Sequence, residues 1–176
     1  CKNPEHLLSE FFYVIANLYF GQQLYNKSNF YLNLSIYFNS KFQINQALLA
    51  ENYLQVEEYK KSKKIYGLFN KKNTIFYWYS IKRIALINSY IDDKNKALRF
   101  LIKNFNNIKD PNIKILYDVA NFYRNFGKYE KSIDYYTKVI NILDNKHSSY
   151  ADILYRRGAS YERVGKWENS DRDLLE

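Results

Sequence analysis

Sulfur is almost missing from this chain: among 176 residues there is one cysteine, Cys1, and no methionine. A single cysteine excludes an intramolecular disulfide framework and a zinc site built on cysteines. The lack of any methionine, an initiator included, marks the chain as an expected piece of a longer protein. Two readings of Cys1 stand open: the lipidated first residue of a mature lipoprotein, or simply the point where the segment begins. Proline and glycine are also scarce, at two and five residues. That is too few for the many turns of a sandwich or barrel, and it suits long helices on short loops. The only histidines are His6 and His147, far apart in sequence, and the glycines stand singly. Neither a histidine-based catalytic constellation nor a glycine-rich phosphate cradle can be built from them. The acidic pairs Glu57–Glu58 and Asp92–Asp93 fall at expected turns and read as solvated caps. No run is apolar and long enough to span a bilayer, and no signal peptide is read. The expectation is therefore no enzyme, no metal and no cofactor, with the compartment open between cytoplasm and bacterial cell envelope.

What is abundant is aromatic and basic: 19 Tyr, 12 Phe and a formal net charge of +9. An AT-rich genome favours Lys, Asn, Ile, Tyr and Phe, so part of this bias is read as mutational. Hydrophobic residues at 47% and charged residues at 26% give a globular profile rather than a disordered one. Charge is uneven: residues 1–105 hold 15 Lys and Arg against 7 Asp and Glu, and residues 106–176 hold 12 against 11. The densest basic run is Lys60, Lys61, Lys63, Lys64, Lys71 and Lys72. Its expected place is a second helix and the following loop, on an outer face.

Self-similarity at a period of 20–50 residues decides the architecture. Small residues recur at Ala16, Ala50, Ala85, Ala120 and Gly158, spaced by 34, 35, 35 and 38. A second small series runs Ser28, Ser62, Ala97, Ser132 and Ser170. In the same register stand Tyr19, Tyr53, Asn88, Tyr123 and Tyr161, and Ile15, Leu49, Ile84, Val119 and Arg157. The clearest unit, 112–144, contains Leu116, Val119, Ala120, Tyr123, Gly127, Tyr129, Ser132 and Tyr136. This pattern resembles the tetratricopeptide repeat (TPR), a 34-residue pair of antiparallel helices with small residues at positions 8 and 20. The last unit, from Ala151 through Trp167 to Leu175, is similar to units of long TPR proteins of the bacterial cell envelope.

The resemblance implies an all-α fold, a right-handed superhelical solenoid of antiparallel helix pairs, with about four complete repeats and a partial fifth. The expected units of this single array are 9–42, 43–77, 78–112, 113–150 and 151–176. Helices of 12–14 residues are marginal alone, so stacking must supply most of their stability. Glycine is expected to end the first helix at Gly127 and Gly165, whereas Gln23, Glu57 and Asp92 occupy that place in the other units. Asn88 and Arg157 depart from an aromatic and an aliphatic position, and an insertion near 147–150 should lengthen one loop. Because Glu176 falls within an expected second helix, that end should pack on further repeats or another chain.

TPR arrays act through a concave surface lined by positions 2, 5, 9 and 12 of each first helix. Carried onto this sequence, the candidate ligand-binding residues are Tyr13, Asn17, Phe20, Tyr79, Lys82, Lys114, Tyr117, Asn121, Arg124 and Tyr155. Glu10, Glu51, Asp152 and Glu162 fall on the same expected surface. Aromatic platforms beside amide and cationic donors suit an extended backbone or an amphipathic helix. The basic-residue-then-Asn pair with which some TPRs hold an acidic C-terminus is absent: Asn17 follows Tyr13, Asn121 follows Tyr117, and Lys82 precedes Leu86. The expected function is a non-catalytic scaffold for a protein or peptide partner. The alternatives are an RNA-binding helical repeat of the pentatricopeptide sort, which the positive charge suits, and the regulatory part of a longer enzyme. Tyr53, Tyr123, Tyr161 and Trp167 match the TPR pattern better than the pentatricopeptide one.

Overall fold

Ten α-helices follow one another in the computed structural model, which describes residues 3–69 and 74–176, and no strand occurs among those residues. They are α1 (Pro4–Gly21), α2 (Tyr25–Phe38), α3 (Gln43–Gln55), α4 (Tyr59–Tyr66), α5 (Thr74–Ile91), α6 (Lys94–Phe105), α7 (Ile113–Asn125), α8 (Tyr129–Ile142), α9 (Tyr150–Arg163) and α10 (Trp167–Leu175). None of the described helices is long and apolar enough to cross a membrane. The chain divides into two compact units, Cys1–Asp93 and Lys94–Glu176. In the first, α1 pairs with α2 and α3 with α4, α2 stacks on α3, and α5 lies against α4. In the second, α7 pairs with α8 and α9 with α10, α8 stacks on α9, and α6 touches α7.

The small residues sit where the helices approach most closely. Ala16, Ala50, Ala85, Ala120, Ser28, Ser62, Ala97 and Ser132 are fully buried, and Gly158 and Ser170 nearly so. A Cβ on Gly158 would lie 3.1 Å from Leu174 Cγ and 3.4 Å from Asp173 Cβ, so α9 and α10 are already in contact there. The serines add hydrogen bonds at no cost in bulk. Ser62 Oγ donates to the Ala50 carbonyl at 2.8 Å, and Ser170 Oγ donates to the Gly158 carbonyl at 3.0 Å. Between α1 and α2, the Ser9 and Ser35 hydroxyls donate to each other's carbonyls at 2.8 and 2.7 Å.

Four helix pairs share one turn. The N–H two residues beyond the first helix's C-cap returns to a tyrosine carbonyl: Leu24 to Tyr19, Glu58 to Tyr53, Lys128 to Tyr123 and Lys166 to Tyr161, at 2.8–3.0 Å. The residue before each of those donors is left-handed: Gln23 (φ 61), Glu57 (φ 60), Gly127 (φ 71) and Gly165 (φ 74). Gln23 and Glu57 thus adopt the same Schellman-type cap as the glycines, in a region that disfavours a residue with a Cβ. Asp92 has no positive φ, so the turn between α5 and α6 is built differently.

The atypical positions have physical explanations. Arg157 holds Asp173 through two nitrogens at 2.6 and 2.7 Å, reaches Thr137 Oγ1 at 3.0 Å, and lies 5.8 Å from the Tyr161 ring centroid. Burial opposes its charge, but the hydrogen bonds and attraction of Asp173 outweigh that and raise its pKa. Asn88 is buried and accepts from Lys63 Nζ at 2.8 Å, so one lysine of the basic run is spent internally. Lys61 pairs with Glu58 at 3.2 Å. Lys71, Lys72 and Cys1 lie outside the described residues.

Two candidate binding clefts

Each unit carries a cleft over its first helices. The first has a volume of about 440 Å3. It is lined by Tyr13 and Phe20 of α1, Ile44, Ala47, Leu48 and Glu51 of α3, and Ile75, Phe76, Tyr79 and Arg83 of α5. Its floor is polar but internally satisfied. Glu51, 8% exposed, makes an ion pair with Arg83 and accepts from Tyr66 OH at 2.9 Å and Tyr79 OH at 3.4 Å. Arg83 Nε also donates to Tyr79 OH at 3.3 Å. Burial works against the Arg83 charge, yet Tyr79 and Glu51 hold its pKa above the usual value. Burial raises the Tyr66 pKa, so this hydroxyl stays a donor. What faces the open space is therefore an aromatic and aliphatic wall over a neutralised pair.

The second cleft, about 430 Å3, lies between α7 and α9. Ile113, Lys114 and Tyr117 line it from α7, Leu143, His147 and Ser149 from the α8–α9 connection, and Asp152 and Ile153 from α9. Tyr117 OH donates to Asp152 Oδ2 at 2.7 Å, and Arg156 Nε donates to the same oxygen at 2.8 Å. Arg156 also lies 5.9 Å from the Tyr117 ring centroid. The Arg156 hydrogen bond is the main reason the Asp152 pKa is lowered, helped by Tyr117 and by the more distant charge of Arg124. Beside this group Tyr136 OH donates to Asn121 Oδ1 at 2.7 Å, and burial pushes the Tyr136 pKa up to about 12. Among the described residues, neither Lys114 nor Arg124 has a carboxylate at ion-pair distance. Lys114 and Asp152 are the charged residues that line the cleft, while Arg156 and, farther off, Arg124 act on Asp152 from beside it.

The candidate residues divide accordingly. Tyr13, Phe20 and Tyr79 line the first cleft, and Lys114 and Tyr117 the second. Asn121 and Arg124 adjoin the second through Tyr136 and Asp152. Asn17 and Tyr155 are exposed and line neither cleft, nor does the half-buried Lys82. Glu51, expected on the ligand-facing surface, is buried. The residues missed are Arg83 and Arg156. Both stand at position 6 of a first helix, four residues after Tyr79 and Asp152, so an i,i+4 pair in register was the available signal. Among the described residues, no group of three or more His, Cys, Asp or Glu side chains is placed to hold a metal.

No family model matches the sequence, and no curated protein does. Solved structures do match. BtubC from P. vanneervenii aligns with a TM-score of 0.73 at 13% identity, over 97% of this chain and 78% of that one. A Podosopora anserina protein of nearly identical TPR-like repeats gives 0.68 at 12% identity, over 99% and 94%. YrrB, described as a TPR protein with an unusual peptide-binding site, gives 0.56 at 14% identity, over 93% and 81%. The recurrent small residues, the shared turn and these neighbours agree that the chain has the tetratricopeptide-repeat fold.

Proposed function

We propose that this protein is a non-catalytic scaffold that holds a segment of a partner protein along its first helices. The observation that carries the reading is the pair of clefts lined largely by first-helix side chains, the first with Tyr13, Phe20, Phe76 and Tyr79 in its wall and the second with Tyr117. An extended or helical segment would place apolar side chains over Tyr13, Phe20, Ile75 and Tyr79. It would place an acidic group near Lys114, Tyr117 and Arg124, where the charge is not already neutralised. Rigid helix pairs reduce the ordering cost on the scaffold's side, so preorganisation replaces any chemical step. The peptide-binding site of YrrB supports this reading by fold analogy alone. The reading takes the five units, 9–42 to 151–176, as one array.

Selection from a displayed random-peptide library tests it. The expected outcome is enrichment of peptides pairing an acidic residue with aromatic or aliphatic ones, and loss of their binding on Tyr117→Ala or Tyr79→Ala. Failure to enrich any peptide, together with retention of RNA that nuclease removes, would overturn the scaffold reading in favour of nucleic-acid binding.

A further inference from the structure

The second cleft has a wall that the first lacks. Side chains of α1, α3 and α5 alone line the first. The second takes Leu143, His147 and Ser149 from the connection between α8 and α9. That connection covers 143–149, whereas the corresponding one between α2 and α3 covers only 39–42. The long repeat step, from Ala120 to Gly158, thus places its additional residues in a wall of the cleft. The connection is folded on itself. Asp144 accepts from the His147 N–H at its carbonyl, at 2.9 Å, and from the Lys146 N–H at Oδ1, at 2.8 Å. The His147 carbonyl accepts from the Tyr150 N–H at 2.9 Å, and His147 Nδ1 accepts from the Ser149 N–H at 3.1 Å.

A ring nitrogen that accepts a hydrogen bond carries no proton, so this geometry holds His147 neutral with its proton on Nε2. Protonation turns Nδ1 into a donor, gives up the Ser149 bond and leaves both ring nitrogens donating. The charge of the cleft makes that step matter. Its lining has one charged side chain of each sign, Lys114 and Asp152. Histidine is the residue type whose charge changes between pH 5 and 8, and His147 is the one histidine of the lining. Asp152 stays an anion over that interval, because the Arg156 hydrogen bond and then Tyr117 lower its pKa. Tyr117 stays neutral, since burial raises its own. The remaining groups around the connection are its own Asp144 and Lys146, and Tyr150 of α9, whose hydroxyl donates to Glu176 Oε1 at 3.2 Å. The last turn of α8, 139–142, carries no charge. A proton on His147 therefore tips a balanced lining to a positive one.

We propose that His147 makes the second cleft a pH-dependent site for the acidic group of a bound peptide, which it holds more tightly in mild acid than in mild alkali. The inference rests on the scaffold reading above and adds a regulated contact to it. The sign follows from linkage. A carboxylate beside the imidazole favours the protonated ring, so the ring binds its proton more tightly in the complex than in the free chain. The added affinity is fully present below the free value and is lost as pH rises through the bound one. In the free chain the Ser149 hydrogen bond favours the neutral ring and so widens the difference.

The test is calorimetric titration of the whole chain with a blocked peptide of alternating glutamate and leucine, and with its glutamine counterpart, from about pH 5.5 to 8, where glutamate stays ionised. The parent should bind the glutamate peptide about fivefold more tightly at the acid end, the size of one exposed ion pair. The glutamine peptide should show no such trend. His147→Asn keeps an acceptor for the Ser149 N–H but takes no charge, so it should hold the weaker affinity throughout. His147→Lys, a fixed cation, should hold the tighter one. The chain has only two imidazoles, so proton NMR can follow His147 itself, and its titration midpoint should rise when the glutamate peptide is added. A parent that binds the glutamate peptide equally across the range overturns the proposal and leaves the scaffold reading standing. So does a pH trend that survives in His147→Asn. Binding of neither peptide at any pH overturns the proposal together with the acid-binding part of the scaffold reading.

Discussion

In the first unit an acid at position 9, Glu51, meets an arginine at position 6 of the next first helix, Arg83, and the hydroxyls of Tyr66 and Tyr79 complete the arrangement. In the second unit the same register places Asn121 at position 9 and Arg156 at position 6, and Tyr136 bonds to Asn121 much as Tyr66 bonds to Glu51. Without an acid at position 9, Arg156 takes its carboxylate from its own helix, from Asp152 four residues earlier and half-exposed. The repeated scaffold is nearly constant while its charge is rearranged by single residues. One cleft consumes its ion pair in its floor; the other is lined by Lys114 and by Asp152, which Arg156 holds from its own helix.

Breaking the two ion pairs gives the largest contrast. Arg83→Met leaves Glu51, with its side chain only 11% exposed, facing two tyrosines without a cation. The expected loss is about 3 kcal/mol, in the range for a buried charge deprived of its partner. Arg156→Met breaks a pair whose side chains are 35% and 47% exposed, and should cost less than about 1 kcal/mol. Urea unfolding followed by circular dichroism compares them, and equal losses would refute the contrast.

Asn121→Glu sharpens the comparison from the other side, since it restores the acid of the first unit to the second. Arg156 should turn toward position 9, and affinity for an acidic peptide should fall about tenfold, or about 1.4 kcal/mol. Titration of a labelled peptide measures it, and unchanged affinity would show that the open cations do not matter.

The turns give a smaller effect of opposite sign in the two units. Gln23→Gly and Glu57→Gly relieve a left-handed residue bearing a Cβ and should each stabilise by up to ~1 kcal/mol, the steric gain less the entropy of glycine. Gly127→Gln should lose about 1 kcal/mol for the same reason. Thermal midpoints moving the same way in all three would contradict a shared turn.

Acid titration should show the smallest effect. The folded pKa of Asp152 is lowered, so its contribution is fully present above the ordinary carboxylate range and is lost as pH falls through the depressed value. With the side chain 47% exposed, the screened contribution is a few tenths of a kcal/mol. Asp152→Asn should abolish that part of the stability decline below about pH 4 and leave neutral-pH stability almost unchanged.

Much of the architecture was legible because packing permits few choices at close approach. Ala16, Ala50, Ala120 and Ser132 are small because a neighbouring helix occupies the space, and Tyr19, Tyr53, Tyr123 and Tyr161 all receive the same turn hydrogen bond. The sites were less legible because they depend on where long polar side chains turn. The TPR resemblance implies a ligand-facing place for Glu51, yet Arg83, Tyr66 and Tyr79 together draw it inward. Asn17 and Tyr155 keep the expected exposure but line neither of the two clefts. Arg83 and Arg156 escaped because a pattern of positions 2, 5, 9 and 12 omits position 6.

The most direct test is calorimetric titration of a selected acidic peptide and its acid-to-amide counterpart against the parent chain and Arg124→Glu. The account predicts that the parent prefers the acid form by about tenfold, and that Arg124→Glu erases or reverses the preference while helix content stays the same. Equal binding of both peptides to both proteins would contradict it, since the cations of the second cleft would then take no part in recognition.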